Sequence, residues 1–136
     1  MIFSKYSTVV VAVLLSVLGS TASVRAAEDD FPFGTEMTLE AVPQPGSKRI
    51  PNIEIGDHGE VVLELWCKGA KGQFSIAGNT VIFVPGQIQD RSCPPAKAQA
   101  DDELVAALGE ATTWKRQGEV LTFLGPKPLR FRINGN

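Results

Sequence analysis

One imidazole and two thiols are the groups in this sequence best suited to chemistry: His58, Cys67 and Cys93. A lone histidine is the natural acid-base group near neutral pH. It sits in Gly56-Asp57-His58-Gly59, a turn composition in which a solvated loop residue is the plain reading. A cysteine nucleophile would need that same imidazole beside it, and a zinc site would have to be assembled from one histidine and two cysteines. Ser75 and Ser92 have neither a glycine elbow nor a base at a recognisable spacing. The sequence therefore nominates no catalytic residue, no metal ligand and no cofactor-binding residue. The leading reading of Cys67 and Cys93 is one disulfide, closing a loop of 26 residues (93 − 67), with two inert thiols as the alternative. In the loop-entropy description such a crosslink contributes about 3 to 4 kcal/mol.

A disulfide requires an oxidising compartment, and the start of the chain supplies the address. Lys5 precedes the apolar run from Val9 to Leu18, and small residues lead to Val24-Arg25-Ala26. This is the pattern of a secretory signal peptide, with cleavage expected after Ala26, so residues 1–26 are the leader and 27–136 one mature domain. The apolar core is far shorter than the roughly 20 residues needed to span a bilayer, and no cysteine stands at the cut to take a lipid. The expectation is a periplasmic or secreted protein without a persistent membrane anchor. The full chain carries 13 basic and 15 acidic residues; Lys5 and Arg25 leave with the leader, so 11 bases face 15 acids, a net charge of −4. That balance argues against nucleic acid as a partner, which would require a basic face.

The elements that position these residues are mostly strands. Met37, Leu39 and Ala41 alternate with Thr38 and Glu40, and Pro43-Gln44-Pro45-Gly46 ends the run. Ile50 to Ile55, Val61 to Trp66, Gln73 to Ala77 and Thr80 to Val84 continue as strands separated by turn signals, with Pro85-Gly86 ending the last. Ala98 to Thr112 instead carries Leu104, Leu108 and Ala111 at helical spacing, and Asp101, Asp102 and Glu103 near its start suit the positive end of a helix dipole. Trp114 to Arg116, Val120 to Leu124 and Leu129 to Ile133 supply two or three closing strands. The fold class is mainly β (α+β): a curled antiparallel sheet or small barrel of about seven strands, with one helix in the C-terminal half.

Three surfaces or interiors deserve weighing as sites. Cys67 to Gly72 reads as a loop tethered by the disulfide, with Trp66, Lys68 and Lys71 as candidate recognition residues; a plain turn between two strands is the simpler reading. Arg130 and Arg132 flank Phe131 and project to the opposite face, where Arg91 or Lys127 can join them as a cationic spot for an acidic partner or lipid headgroup. An ordinary solvated strand face is the simpler reading. Trp66, Trp114, Phe74, Phe83, Phe123 and Phe131 suit either a core or the lining of a ligand cavity inside a barrel.

From Phe33 to Ile133 the order of elements resembles the META domain family of small, HslJ-like envelope proteins. The resemblance rests on Leu65-Trp66-Cys67-Lys68 followed by Gly72 and Phe74, on Cys93 in Arg91-Ser92-Cys93, and on Asp102-Glu103-Leu104 through Leu108. It continues in Trp114, Leu121-Thr122-Phe123 and Leu129-Arg130-Phe131. Lys68 stands where the family usually has Asn, and Trp66 where it usually has Gly. The resemblance implies a compact β domain, secreted or lipid-anchored, linked in some members to stress or drug tolerance, with no established catalytic residues. The expected function is that of a non-enzymatic exported protein binding an unidentified envelope partner in maintenance or stress tolerance. The alternatives are a carrier for a small apolar ligand inside the barrel, and an inhibitor of an envelope hydrolase presenting the 67–72 loop.

Overall fold

The computed structural model describes Gly19 and residues 31–135; the rest of the expected leader, the expected cleavage point and the acidic stretch 28–30 lie outside the described residues. The alternation of apolar and polar residues produces strands β1 (Glu36–Leu39), β2 (Asn52–Ile55), β3 (Glu60–Glu64), β4 (Gly69–Ala77) and β5 (Thr80–Gln89). Helix α1 (Pro95–Glu110) follows, then β6 (Thr113–Gln117), β7 (Val120–Leu124) and β8 (Leu129–Ile133). All neighbours are antiparallel, and β8 returns to β1, pairing Met37 with Ile133 and Leu39 with Phe131. The barrel is closed in the order β1 to β8. Among the described residues eight strands form where about seven were expected, because all three closing segments are separate strands.

Period two decides what faces inward. Met37, Ile53, Ile55, Val61, Leu63, Phe74, Val81, Leu121, Phe123 and Phe131 are all at most 2% exposed. Four phenylalanines cross the interior in sequence: Phe83 stacks on Phe74 (centroids 4.7 Å), Phe74 on Phe123 (5.3 Å), and Phe123 meets Phe131 edge-on (5.8 Å). Phe31 packs edge-on against Trp114, whose indole N–H donates to the Gly78 carbonyl at 2.8 Å. The aromatics are therefore core. The space inside the barrel, expected as one location for an apolar ligand, is occupied by their rings.

Two strands begin or end elsewhere than the sequence suggests, both for steric reasons. β4 starts at Gly69, so the glycines read as a loop lie within a strand. A Cβ on Gly72 would stand 2.6 Å from Phe83 Cε2 and 2.7 Å from the Val84 carbonyl oxygen; the glycine admits the crossing ring. Opposite it, β5 runs through Pro85-Gly86 to Gln89, with the register shifting between Ala70 and Gly72. A bulge absorbs the proline.

The β5–β6 seam is the thin part of the barrel. Among the described residues its register is one pair, Thr80 with Thr113, flanked by Val81 N–H to Thr112 and Trp114 N–H to Asn79. By strand periodicity the next positions on that edge are Phe83 and Pro85, and proline offers no donor. Helix α1, which connects the two strands, packs against β5. Its first turn contains Pro95, well placed where an amide would be unpaired anyway. The helix thus begins three residues earlier than its apolar spacing suggested, and the acidic triplet falls outside the first turn. The dipole role expected for these acids is not the one they play.

Candidate functional site

Asp101 is 0% exposed and lies on the buried face of α1 with Leu104 and Leu108. One carboxylate oxygen accepts the Trp66 backbone N–H at 2.6 Å; the other accepts those of Cys67 (3.1 Å) and Lys68 (2.8 Å). Three successive amides of the turn after β3 thus converge on one buried anion, an arrangement that satisfies both the charge and the donors. The turn closes with the Leu65 N–H donating to the Lys68 carbonyl, and Cys67 is crosslinked to Cys93. Chain segments 66–68 and 93–101 are therefore joined twice.

This geometry overturns the protruding recognition loop. Trp66 is 7% exposed and belongs to the core; Lys68 is mostly covered and pairs with Asp90 (3.4 Å) and Asp102 (3.9 Å). Lys71 is an exposed residue within β4, opposite Val62. The glycines that suggested a loop serve strand packing, so no inhibitor-like projection is formed. The disulfide itself is in place.

What the clamped turn does is fix one wall of a cleft of about 350 Å³ at the barrel mouth, between α1, the end of β1 and the start of β8. Its floor is apolar: Leu39, Trp66, Leu104 and Leu129. Each is nearly buried, yet each retains 5 to 9% exposure, whereas side chains deeper in the barrel such as Ile53 and Phe123 have none. The lip is charged, with Glu40, Lys127 and Arg130 on the barrel side and Glu103 on the helix. Lys127 is held between Pro126 and Pro128, which restrict its backbone. That turn is pressed onto the end of α1, since a Cβ on Gly125 would stand 2.8 Å from the Glu110 carbonyl oxygen.

The arginines fall into two groups rather than one spot. Glu40 is shared by Arg130 (3.2 Å) and Arg132 (3.6 Å), and Glu64 by Arg49 and Arg91, the latter at 3.3 Å and also donating to the Cys67 carbonyl. Arg130 and Arg132 do project outward from β8 as the alternation implied. Arg91 serves the disulfide-bearing turn instead of joining them.

His58 lies at the other end of β3. A shallow depression of about 320 Å³ brings it together with Asp57 and Ser75, a grouping the sequence spacing did not show. Its backbone is engaged, the N–H donating to Glu60 and the carbonyl accepting from Gln73, and among the described residues no hydrogen bond joins the imidazole to Asp57 or Ser75. Among the described residues no three His, Cys, Asp or Glu side chains gather as a metal-ligand set, and no helix is long and apolar enough to cross a membrane.

An eight-stranded antiparallel barrel with a side-chain-filled interior, one covering helix and a cleft at its mouth defines a small, closed β-barrel domain. The chain belongs to the META domain family, whose model matches residues 34–132. A structure solved by NMR is similar over 73% of this chain and 88% of that one, with a TM-score of 0.56 and 16% sequence identity, a likeness of fold alone. No curated protein matches the sequence.

Proposed function

We propose that this chain is an exported, non-enzymatic META-type protein that serves envelope maintenance or stress tolerance by holding a ligand or partner in the cleft beneath α1. The observation that carries this reading is the construction of the cleft. Its floor is an apolar surface with residual exposure, and its walls are fixed by the Asp101 clamp, the Cys67–Cys93 bond and the Pro126-Lys127-Pro128 turn. Rigid walls reduce the ordering cost of binding, which is what a recognition site requires. The disulfide supports export, because such bonds persist in oxidising compartments. The leader-like pattern of residues 1–26 supports it independently.

The test is recovery of the protein from the periplasm or medium of expressing cells, followed by native mass spectrometry alongside Ala100→Trp. Ala100 lines the cleft from the helix, and an indole there obstructs it. A bound species present on the original chain and absent from the variant is expected. Retention in the cytoplasm would refute export, and equal loading of both chains would refute the cleft.

A further inference from the structure

We propose that the occupant of this cleft is a small single-chain amphiphile with an anionic head group, a carboxylate or a phosphate, whose tail lies on Leu39, Trp66, Leu104 and Leu129. The inference rests on the cleft being a binding site and adds the chemistry of what it takes. The tail follows from the floor, and about 350 Å³ is the volume of roughly a dozen waters, enough for a short or medium chain.

The head group follows from how the charges at the lip are spent. Both oxygens of Glu40 are already engaged, Oε2 by Arg130 and Oε1 by Arg132, so this trio keeps one net positive charge. Lys127 has no acidic partner within 4 Å among the described residues. An anion at that lip meets the ammonium of Lys127, with Arg130 also on the lining, over an apolar floor. The opposing charge is Glu103, on the helix wall, where it accepts a hydrogen bond from Gln99. The barrel wall therefore favours a negative head, and the acid marks the side from which that head is turned away. Pro126 and Pro128 restrict the backbone at Lys127 and so fix where its exposed side chain starts from.

The experiment measures affinities of the mature, disulfide-intact protein for octanoate, octyl phosphate, octanol, octylammonium, 2-aminooctanoate and acetate, each below its micelle concentration. Calorimetry gives the constants, and Trp66 indole resonances report occupancy of the floor. Octanoate or octyl phosphate is expected to bind at least three-fold tighter than octanol and octylammonium, the stronger of the two identifying the head. Lys127→Gln should reduce that preference at least two-fold, an unreduced preference overturning the anionic head, and Glu103→Gln should leave octanoate binding equal or tighter. Equal affinity for octanoate and octanol would overturn the anionic head while leaving the cleft as a binding site. Tighter binding of 2-aminooctanoate, lost in Glu103→Gln, would overturn it in favour of a zwitterion. A response to acetate equal to that of octanoate, with Trp66 unmoved, would mean a free-anion site only. Failure of every probe would overturn the proposal, whereas the cleft itself is judged separately by the Ala100→Trp comparison.

Discussion

Replacing Asp101 with Asn changes one atom in a fully buried side chain that accepts three backbone hydrogen bonds. The carboxylate accepts three backbone N–H bonds, from Trp66, Cys67 and Lys68, at 2.6 to 3.1 Å. Hydrogen bonds to a charged group contribute about 1.5 to 3 kcal/mol each, so three of them set a ceiling of about 9 kcal/mol on the effect. Asparagine keeps one oxygen and turns an NH2 toward the remaining donors. The amides of Cys67 and Lys68 are only partly buried and water can reach them, whereas that of Trp66 is buried. Allowing for that relief, the expected loss is about 3 kcal/mol, a substantial share of the 5 to 15 kcal/mol typical of small domains. Urea titration of the disulfide-intact protein, followed by tryptophan fluorescence, measures it. Asp101→Ala, which leaves all three donors without a protein acceptor, should cost at least as much. A loss below about 1 kcal/mol for both variants would show that the turn holds itself and that the carboxylate is incidental.

Cys67→Ser with Cys93→Ser should cost about 3 to 4 kcal/mol, and alkylation of the unfolded, unreduced mature protein should find no free thiol. Trp114→Ala, at a residue 2% exposed, should cost about 3 to 5 kcal/mol by leaving a cavity; a loss under 1 kcal/mol in the same titration would place the ring outside the core. Gly59 has φ +79 and a Cβ there would stand 2.0 Å from the Phe74 carbonyl oxygen, so Gly59→Ala should lower the urea midpoint by more than about 2 kcal/mol in equivalent stability. His58→Ala should change stability by less than about 0.5 kcal/mol and leave partner capture intact; loss of capture at unchanged stability would argue for chemistry in the Asp57, His58 and Ser75 depression.

Which parts of this architecture were legible follows from local physics. Strand periodicity marks β1 to β3 and β8 because each has one buried and one wet face, whereas β7 buries Leu121, Thr122 and Phe123 in a row; both tryptophans fall in the core. The start of β4 was not legible, because two glycines and a lysine read as a loop. The glycine requirement at 72 comes from Phe83, eleven residues away in sequence. Pro85 likewise reads as a stop, and only the bulge opposite Gly72 shows how a strand passes through it. Asp101 was misread for want of the helix boundary: with α1 starting at Pro95 it lies beyond the first turn, three residues before Leu104 and seven before Leu108. That spacing places an acid on an apolar face, a signal that a buried partner must exist. The cleft has no sequence signature, since its floor comes from β1, the turn after β3, α1 and β8, which only barrel closure brings together.

Amide chemical-shift mapping of the mature protein with octanoate tests the central claim most directly, that the mouth beneath α1 is where this protein binds. The largest shifts are expected at Ala41, Trp66, Ala100, Glu103, Lys127 and Arg130, with Gly59, Gln73 and Ser75 unmoved. Shifts clustered on Gly59, Gln73 and Ser75, with Trp66 and Lys127 unchanged, would contradict the account and move the site to the opposite end of β3.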